Sequence, residues 1–197
     1  MSIEVWPGLI TTDLCTRVLN ELEFAYWRRS TVIDDTNGVS VSPARTSETA
    51  FSDTFTAQLT CAVREVEEAV LTATSIPARS LARWQALRYG VGARFDAHHD
   101  DPYGVLGRIR SIMVVLRGPE SGGELEFPDA DLVVQPVAGT VVSWVNRWPD
   151  GIGSRLGIHR VHPVLRGQRV SLVSWSSHPI LQSHTQNHRD GDEHECT

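Results

Sequence analysis

The sequence has no lysine: all 18 of its positive side chains are arginine. Without an ε-amino group there is no lysine Schiff base, and any carboxylate anchored by a cation must be held by a guanidinium fork. Cysteine is scarce as well. Cys15, Cys61 and Cys196 are an odd number without metal-like spacing, which suits a reducing, cytoplasmic compartment better than a disulfide framework. Long apolar runs are missing, since none approaches the roughly 20 residues of a membrane span. The opening MSIEVWPGLITTDLC has no basic region followed by an apolar block, so neither membrane association nor a secretory signal is expected. Surplus positive charge is absent too: the net charge of −6 argues against a nucleic-acid partner.

What remains is the composition of a globular chain, with 41% hydrophobic and 21% charged residues among 197. That predicts one domain over 1–182, with a helical part over 1–80 and a β-rich core over about 81–178. The tail 183–197 has almost no apolar residue and is expected to be disordered. A short strand over 3–10 leads to a helix capped by Thr11 or Thr12 and running to about residue 29, with Leu14, Val18, Leu19 and Leu22 at helical spacing. Residues 30–50 read as a loop or irregular hairpin, and their ARTSETA segment as a surface linker, with a substrate-contacting segment as the alternative. From Ser52 to about Thr74, Phe55, Leu59, Ala62, Val63, Val66 and Val70 mark a second helix. LARWQALRYG (81–90) alternates as a strand, with Trp84 in the core. After the Asp101–Gly104 turn come apolar segments about ten residues apart with Gly and Pro between them, the pattern of an all-β sandwich or barrel.

Chemistry concentrates in YGVGARFDAHHD (89–100). On an extended strand, residues i and i+2 point to one face. His98 and Asp100 therefore reach a common ion while His99 points away, and His159 is available further along as a third ligand. Two histidines and one carboxylate on one face of a metal is the ligand set of non-haem Fe(II) oxygenases. Spacing alone leaves rivals open: His99 and Asp101 form an equivalent pair, and His162 competes with His159.

The pattern Tyr89-x-x-Gly92-x-x-Phe95-x-x-His98-x-Asp100 resembles the metal segment of prolyl 4-hydroxylase-type Fe(II)/2-oxoglutarate dioxygenases. The likeness continues with Arg110 opening a strand, Gly122-Gly123-Glu124-Leu125-Glu126-Phe127-Pro128, and Pro136 followed by Gly139. It closes with His159-x-x-x-Pro163-Val164-x-x-Gly167-x-Arg169 and Trp175, covering about residues 84–176. The resemblance selects His98, Asp100 and His159 as metal ligands over their rivals. It implies a mainly β fold with N-terminal helices, a double-stranded β-helix (a cupin-like jelly roll). It implies Fe(II), 2-oxoglutarate as co-substrate and O2, with ascorbate as a reductant. Arg169 is the implied anchor of the distal carboxylate of 2-oxoglutarate, where the family often has lysine. Tyr89 is implied to hydrogen-bond the same carboxylate, and Ser171, on the same face as Arg169, to assist.

The implied reaction is hydroxylation of a C–H bond of an amino acid, a prolyl residue or a small natural-product-like substrate, with release of succinate and CO2. Retention of Asp100, which related halogenases vacate, favours hydroxylation. Leu125 stands where the family often has Thr, a position that is not a ligand. The alternatives are a zinc hydrolase using the same His2Asp set and a non-catalytic jelly-roll binding module. The substrate mouth is expected from loops 30–50, 101–109 and 146–157, the last offering Arg147, Asp150 and Arg155 for a zwitterion or peptide backbone.

Overall fold

The computed structural model describes residues 2–33, 38–104, 106–148 and 150–177; the tail expected over 183–197 lies outside the described residues. In chain order the elements are β1 (Ile3–Trp6), α1 (Thr12–Leu22), β2 (Arg28–Arg29), β3 (Val32–Ile33), β4 (Val39–Ser40), β5 (Glu48–Phe51) and α2 (Ala57–Thr74). Then follow β6 (Gln85–Tyr89), β7 (Phe95–His98), β8 (Arg108–Arg117), β9 (Ser121–Gly122), β10 (Leu125–Phe127) and β11 (Leu132–Val134). The chain closes with β12 (Val141–Val145), β13 (His159–Val161), β14 (Val164–Arg166) and β15 (Arg169–Ser177).

Seven strands form a large antiparallel sheet in the order β1-β12-β8-β15-β6-β5-β2. A four-stranded sheet, β11-β10-β13-β7, pairs its strands antiparallel as well, and β14 pairs with β9. Alternation along the central strands assigns their two faces. Ile112, Val114 and Leu116 of β8, with Val170 and Leu172 of β15, pack in one cluster with Val18 of α1 and Leu59, Val66 and Val70 of α2. Met113 and Val115 of β8, with Val142 and Trp144 of β12, pack with Leu125, Phe127 and Val161 of the small sheet. Both faces of β8 are thus covered, which is why its sequence reads as a nearly continuous apolar run. Burying each such side chain contributes about 1.5–3 kcal/mol.

Both helices are N-capped by threonine: Thr11 Oγ1 accepts from Leu14 N (3.2 Å) and Thr56 Oγ1 from Leu59 N (3.1 Å). α1 ends at Leu22 rather than near residue 29, because the chain turns there and Arg28–Arg29 becomes the edge of the large sheet. α2 starts at Ala57 rather than Ser52, since Ser52–Thr54 is a single 3-10 turn. The larger correction concerns ARTSETA. It is no surface linker: Ser47, Thr49 and Ala50 are buried, and Glu48–Phe51 pairs with β6 in the large sheet. Thr and Ser filled positions whose hydroxyls bond one another, as Ser30, Ser47 and Thr49 do, so no apolar alternation marked the strand. Trp84 is in the core as expected, its Nε1 donating to Glu67 Oε2 (2.9 Å).

Gly122 and Gly123 both have positive φ (77° and 73°), and a Cβ on Gly122 would stand 2.3 Å from the Pro163 carbonyl oxygen. A Cβ on Gly123 would come within 3.4 Å of the Arg169 Cδ. The double glycine therefore lets β14 and the stem of Arg169 close against this turn.

Candidate metal centre

His159 of β13 and His98 of β7 are direct cross-strand partners, so antiparallel pairing alone brings two imidazoles together. Their rings lie 4.2 Å apart at 58°. Asp100 follows β7 by two residues, and its Oδ1 stands 3.5 Å from His98 Nε2 and 3.9 Å from His159 Nε2. The ligand atoms of the three residues all lie within 4.8 Å of one another, close enough to share one ion.

Each ligand is held from behind. His98 Nδ1–H donates to the Asp96 carbonyl (2.9 Å) and His159 Nδ1–H to the Gly157 carbonyl (2.8 Å), which leaves both Nε2 lone pairs facing the centre. Asp100 Oδ2 accepts from the Ser111 hydroxyl and from Trp175 Nε1 (3.1 Å), so Oδ1 is the oxygen left for a metal. Ser111 is itself oriented by Asn146 Nδ2, which donates to its Oγ (2.8 Å). Phe127 and Trp144 wall the buried side of His159, with ring centroids at 5.8 and 4.6 Å.

The electrostatics suit metal ligation. Burial alone would raise the Asp100 carboxyl, but His159, His98 and the Ser111 hydroxyl outweigh it and hold the group well below the usual carboxylate range. Burial, followed by repulsion from His98, pushes His159 down to about 3. At neutral pH the site therefore offers a carboxylate and a neutral imidazole, the forms a metal binds. As pH falls, the unfolded chain protonates His159 first, near its unperturbed 6.5, so stability is full above that value and is lost on the way down to about 3. Asp100, depressed below its ordinary 3.8, adds a loss of the same sign below that pH. The unfolding free energy of the metal-free protein is expected to fall between pH 7 and pH 5, by up to ~1.4 kcal/mol per pH unit at the steepest, and its Tm to fall with it. A flat or rising Tm over that interval would contradict the buried neutral imidazole.

Ser111→Ala removes one of two donors from the outer carboxylate oxygen. Affinity for Zn2+ or Co2+, measured by titration against a chromophoric chelator, is expected to fall about 10–100-fold. An unchanged affinity would show that Trp175 orients Asp100 unaided.

The rival ligands are otherwise engaged. Asp101 is fully buried, accepting from the backbone N–H of Leu106 (3.2 Å) and Arg108 (3.1 Å), and thereby ties the loop that follows the metal strand. His99 donates through Nε2 to the Asn146 carbonyl (3.1 Å) and accepts at Nδ1 from Asp101 N (3.0 Å). His162 pairs with Glu126, a carboxylate also held by Arg160, away from the triad.

Arg169 and Tyr89 are partners across β15 and β6, and the guanidinium lies 5.3 Å from the Tyr89 ring. Arg169 is only 1% exposed, yet among the described residues no carboxylate lies within ion-pair distance of it, and Glu124 acts on it only through space. Its Nη2 reaches only the sulfur of Met113 (2.8 Å), a weak acceptor, and its Nε has no partner. Ser171 Oγ, two residues along the same face, is also buried without a partner. A buried guanidinium without an ion-pair partner is costly, and burial pushes its pKa down against the opposing pull of Tyr89 and Glu124. Arg169 and Ser171 thus hold buried polar atoms that no described residue bonds, with Tyr89 across the strand from Arg169.

A cavity of about 500 Å³ opens over the triad, lined on its inner side by Tyr89, Met113, Leu125 and Trp144. Its outer wall comes from 31–33, Val39, Ala44, Arg45, Phe51 and the 102–108 segment. No described residue of 146–157 lines it: Arg147 pairs with Asp101, Arg155 with Asp129, and Asn146 turns inward to Ser111. The expected contribution of that loop to the mouth is therefore wrong. Another correction is that β8 opens at Arg108, two residues before Arg110, which instead bonds Glu4 (2.8 Å). Ser111 had no role in the sequence reading, and Asn146, Arg45 and Arg108 entered it only as members of loops expected at the substrate mouth. The signal for Ser111 was a lone hydroxyl in the RSIMVVLR run, on the face shared by Met113 and Val115.

Residues 84–177 match the family model described as the 2OG-Fe(II) oxygenase superfamily. Those residues of the chain are similar to that superfamily. Among curated relatives, probable prolyl 4-hydroxylase 4 of Arabidopsis thaliana is 29% identical, over 87% of this chain and 65% of its own length. The chain thus spans a little under two thirds of that relative. Among solved structures, the Trichoplax adhaerens prolyl hydroxylase in complex with a hypoxia inducible factor oxygen degradation domain peptide fragment superposes with a TM-score of 0.72 at 17% identity, covering 94% of this chain and 88% of that one. The viral collagen prolyl hydroxylase of Paramecium Bursaria Chlorella virus-1, in a 2OG complex, gives 0.65 at 18% identity, covering 89% and 95%. The fold is accordingly the mainly β double-stranded β-helix of 2OG oxygenases, with two helices among the described residues.

Proposed function

We propose that the chain is an Fe(II)- and 2-oxoglutarate-dependent dioxygenase that hydroxylates a C–H bond, with a prolyl or other amino-acid residue as substrate. The observation that carries this reading is Arg169, a buried guanidinium without an ion-pair partner among the described residues, in a chain that also assembles a His-Asp-His triad. A zinc hydrolase could use the triad but has no need of a second, buried anion site. A non-catalytic module has no need of either. The curated relatives named prolyl 4-hydroxylase support the prolyl choice.

In this reading His98, Asp100 and His159 hold Fe(II) on one face and leave positions open for 2-oxoglutarate and O2. Arg169 takes the distal carboxylate of 2-oxoglutarate in a charge-assisted contact, with Tyr89 and Ser171 as further donors. Iron and 2-oxoglutarate, when bound, supply the oxidising step, which yields succinate and CO2 and inserts one oxygen atom into the substrate. The chain's own part is to fix the ligands, keep water out with Phe127, Trp144 and Leu125, and present the substrate from the outer half of the cavity. Ascorbate would serve to return oxidised metal to the ferrous state.

Succinate release, measured with Fe(II), ascorbate and 2-oxoglutarate across prolyl peptides, free amino acids and small cyclic amines, tests the reading. Turnover stimulated at least several-fold by one class is expected. No succinate under any condition, with the metal bound, would reject the dioxygenase.

A further inference from the structure

We propose that Arg45 and Arg108 form a carboxylate-recognising subsite at the outer side of the metal centre, so that the preferred substrate carries a carboxylate close to the carbon that is hydroxylated. The proposal rests on the dioxygenase reading above and deepens it by naming a chemical class of substrate.

The cavity wall carries four formal charges besides its histidines: Arg45, Asp96, Asp100 and Arg108. Asp96 is neutralised by Arg94 Nε at 2.9 Å, and Asp100 belongs to the triad. Neither Arg45 nor Arg108 has a carboxylate partner among the described residues. Arg45 is held by neutral groups, its Nε donating to Ser47 Oγ (3.2 Å) and its Nη1 to the Thr31 carbonyl (2.9 Å). Its guanidinium lies over the Phe95 ring at 4.7 Å, and Phe95 in turn stacks on His98 at 3.5 Å. Arg108 repeats the arrangement on the other side. It covers the Trp175 ring at 3.8 Å, donates from Nη1 to the Asp100 carbonyl (3.3 Å), and Trp175 donates to the Asp100 carboxylate. Each cation is thus one aromatic ring away from a metal ligand, one beside His98 and one beside Asp100.

Stacking on an aromatic face fixes a guanidinium without using its in-plane donors, so the N–H groups not spent on Thr31, Ser47 and Asp100 stay available to a ligand. Arg108 lies in the field of the Asp100 and Asp101 carboxylates, with Arg45 a smaller influence of opposite sign, but it forms no ion pair with a carboxylate among the described residues. Both guanidinia thus keep in-plane donors free of any such ion pair, and a ligand carboxylate placed between two forks gains charge-assisted hydrogen bonds from both.

The carboxylate has two sources: the free α-carboxylate of a C-terminal prolyl residue or free amino acid, or an acidic side chain next to an internal prolyl residue. Three acid/amide pairs separate them: L-proline with prolinamide, Ac-Gly-Pro-OH with Ac-Gly-Pro-NH2, and Ac-Gly-Pro-Glu-NH2 with Ac-Gly-Pro-Gln-NH2. The acid of at least one pair is expected to show kcat/KM about tenfold or more above its amide, chiefly through KM. In Arg45→Gln and in Arg108→Gln that ratio should shrink towards one. The same pairs titrated into Zn2+-loaded protein, read by tryptophan fluorescence, report binding without turnover. Loss of succinate with every compound, together with tighter binding of the acids, would reject the dioxygenase reading and keep the subsite. Acids and amides equal within about twofold in both assays would overturn the subsite whatever the reaction.

Discussion

Replacing Asp100 by alanine is expected to abolish metal loading and succinate release together. Asp100 is the one ligand that the strand pairing does not place. His98 and His159 face each other across β7 and β13, whereas Asp100 lies just beyond the strand and is held by Ser111 and Trp175. Removing a group that merely orients a ligand costs about 10–100-fold in affinity, so removing the ligand itself should cost more than about 100-fold. The variant also removes the triad's carboxylate, the charge that draws a cation between the two imidazoles. Measurement is by titration with Fe(II) or Zn2+ and by succinate release, with circular dichroism to confirm folding. Asp101→Ala is the contrasting variant. Its carboxylate caps the loop through Leu106 N and Arg108 N, so loss of stability is expected, with metal affinity per folded molecule largely kept. Full activity in Asp100→Ala would mean that the ligand set is wrong.

Arg169→Met is expected to weaken 2-oxoglutarate binding by about 2–5 kcal/mol, the cost of removing one partner of a buried, hydrogen-bonded charge pair. That corresponds to roughly 30-fold to a few thousand-fold in Kd. The free protein should respond in the opposite sense. Arg169 is buried with no ion-pair partner among the described residues, its Nη2 on a sulfur and its guanidinium near an aromatic ring, so an apolar side chain of similar length removes a poorly compensated burial cost. The Tm without co-substrate should therefore be equal or higher in the variant. Adding 2-oxoglutarate with a redox-inert metal should stabilise the wild type and leave the variant unmoved. A wild-type Kd in Arg169→Met would place the anchor elsewhere, and a strongly lowered Tm would make Arg169 a packing residue.

Much of this arrangement was legible in the residues, for reasons that differ by element. The strands of the second half announced themselves because their faces alternate and their turns carry glycine and proline. The i, i+2 spacing of His98 and Asp100 was visible as a shared strand face. The choice of His159 over His162 was not, because the two differ only in which face of β13 and the following turn they occupy. The early strands β2 and β5 escaped notice because their buried positions are serine and threonine, satisfied by one another and not by apolar packing. Arg45 and Arg108 lay in loops expected at the mouth, yet neither stood out individually. An arginine on a loop reads as solvated surface, and only the fold reveals that each lies on a ring touching a metal ligand.

The most direct test is an anaerobic titration of the metal-free protein with Fe(II) and then 2-oxoglutarate, followed by visible absorption. A weak charge-transfer band that saturates at one equivalent of each is expected, absent in His98→Ala and shifted to higher 2-oxoglutarate concentration in Arg169→Met. Tight Fe(II) binding without that band, or the same band in both variants, would contradict a three-residue iron site with a guanidinium holding the oxo-acid.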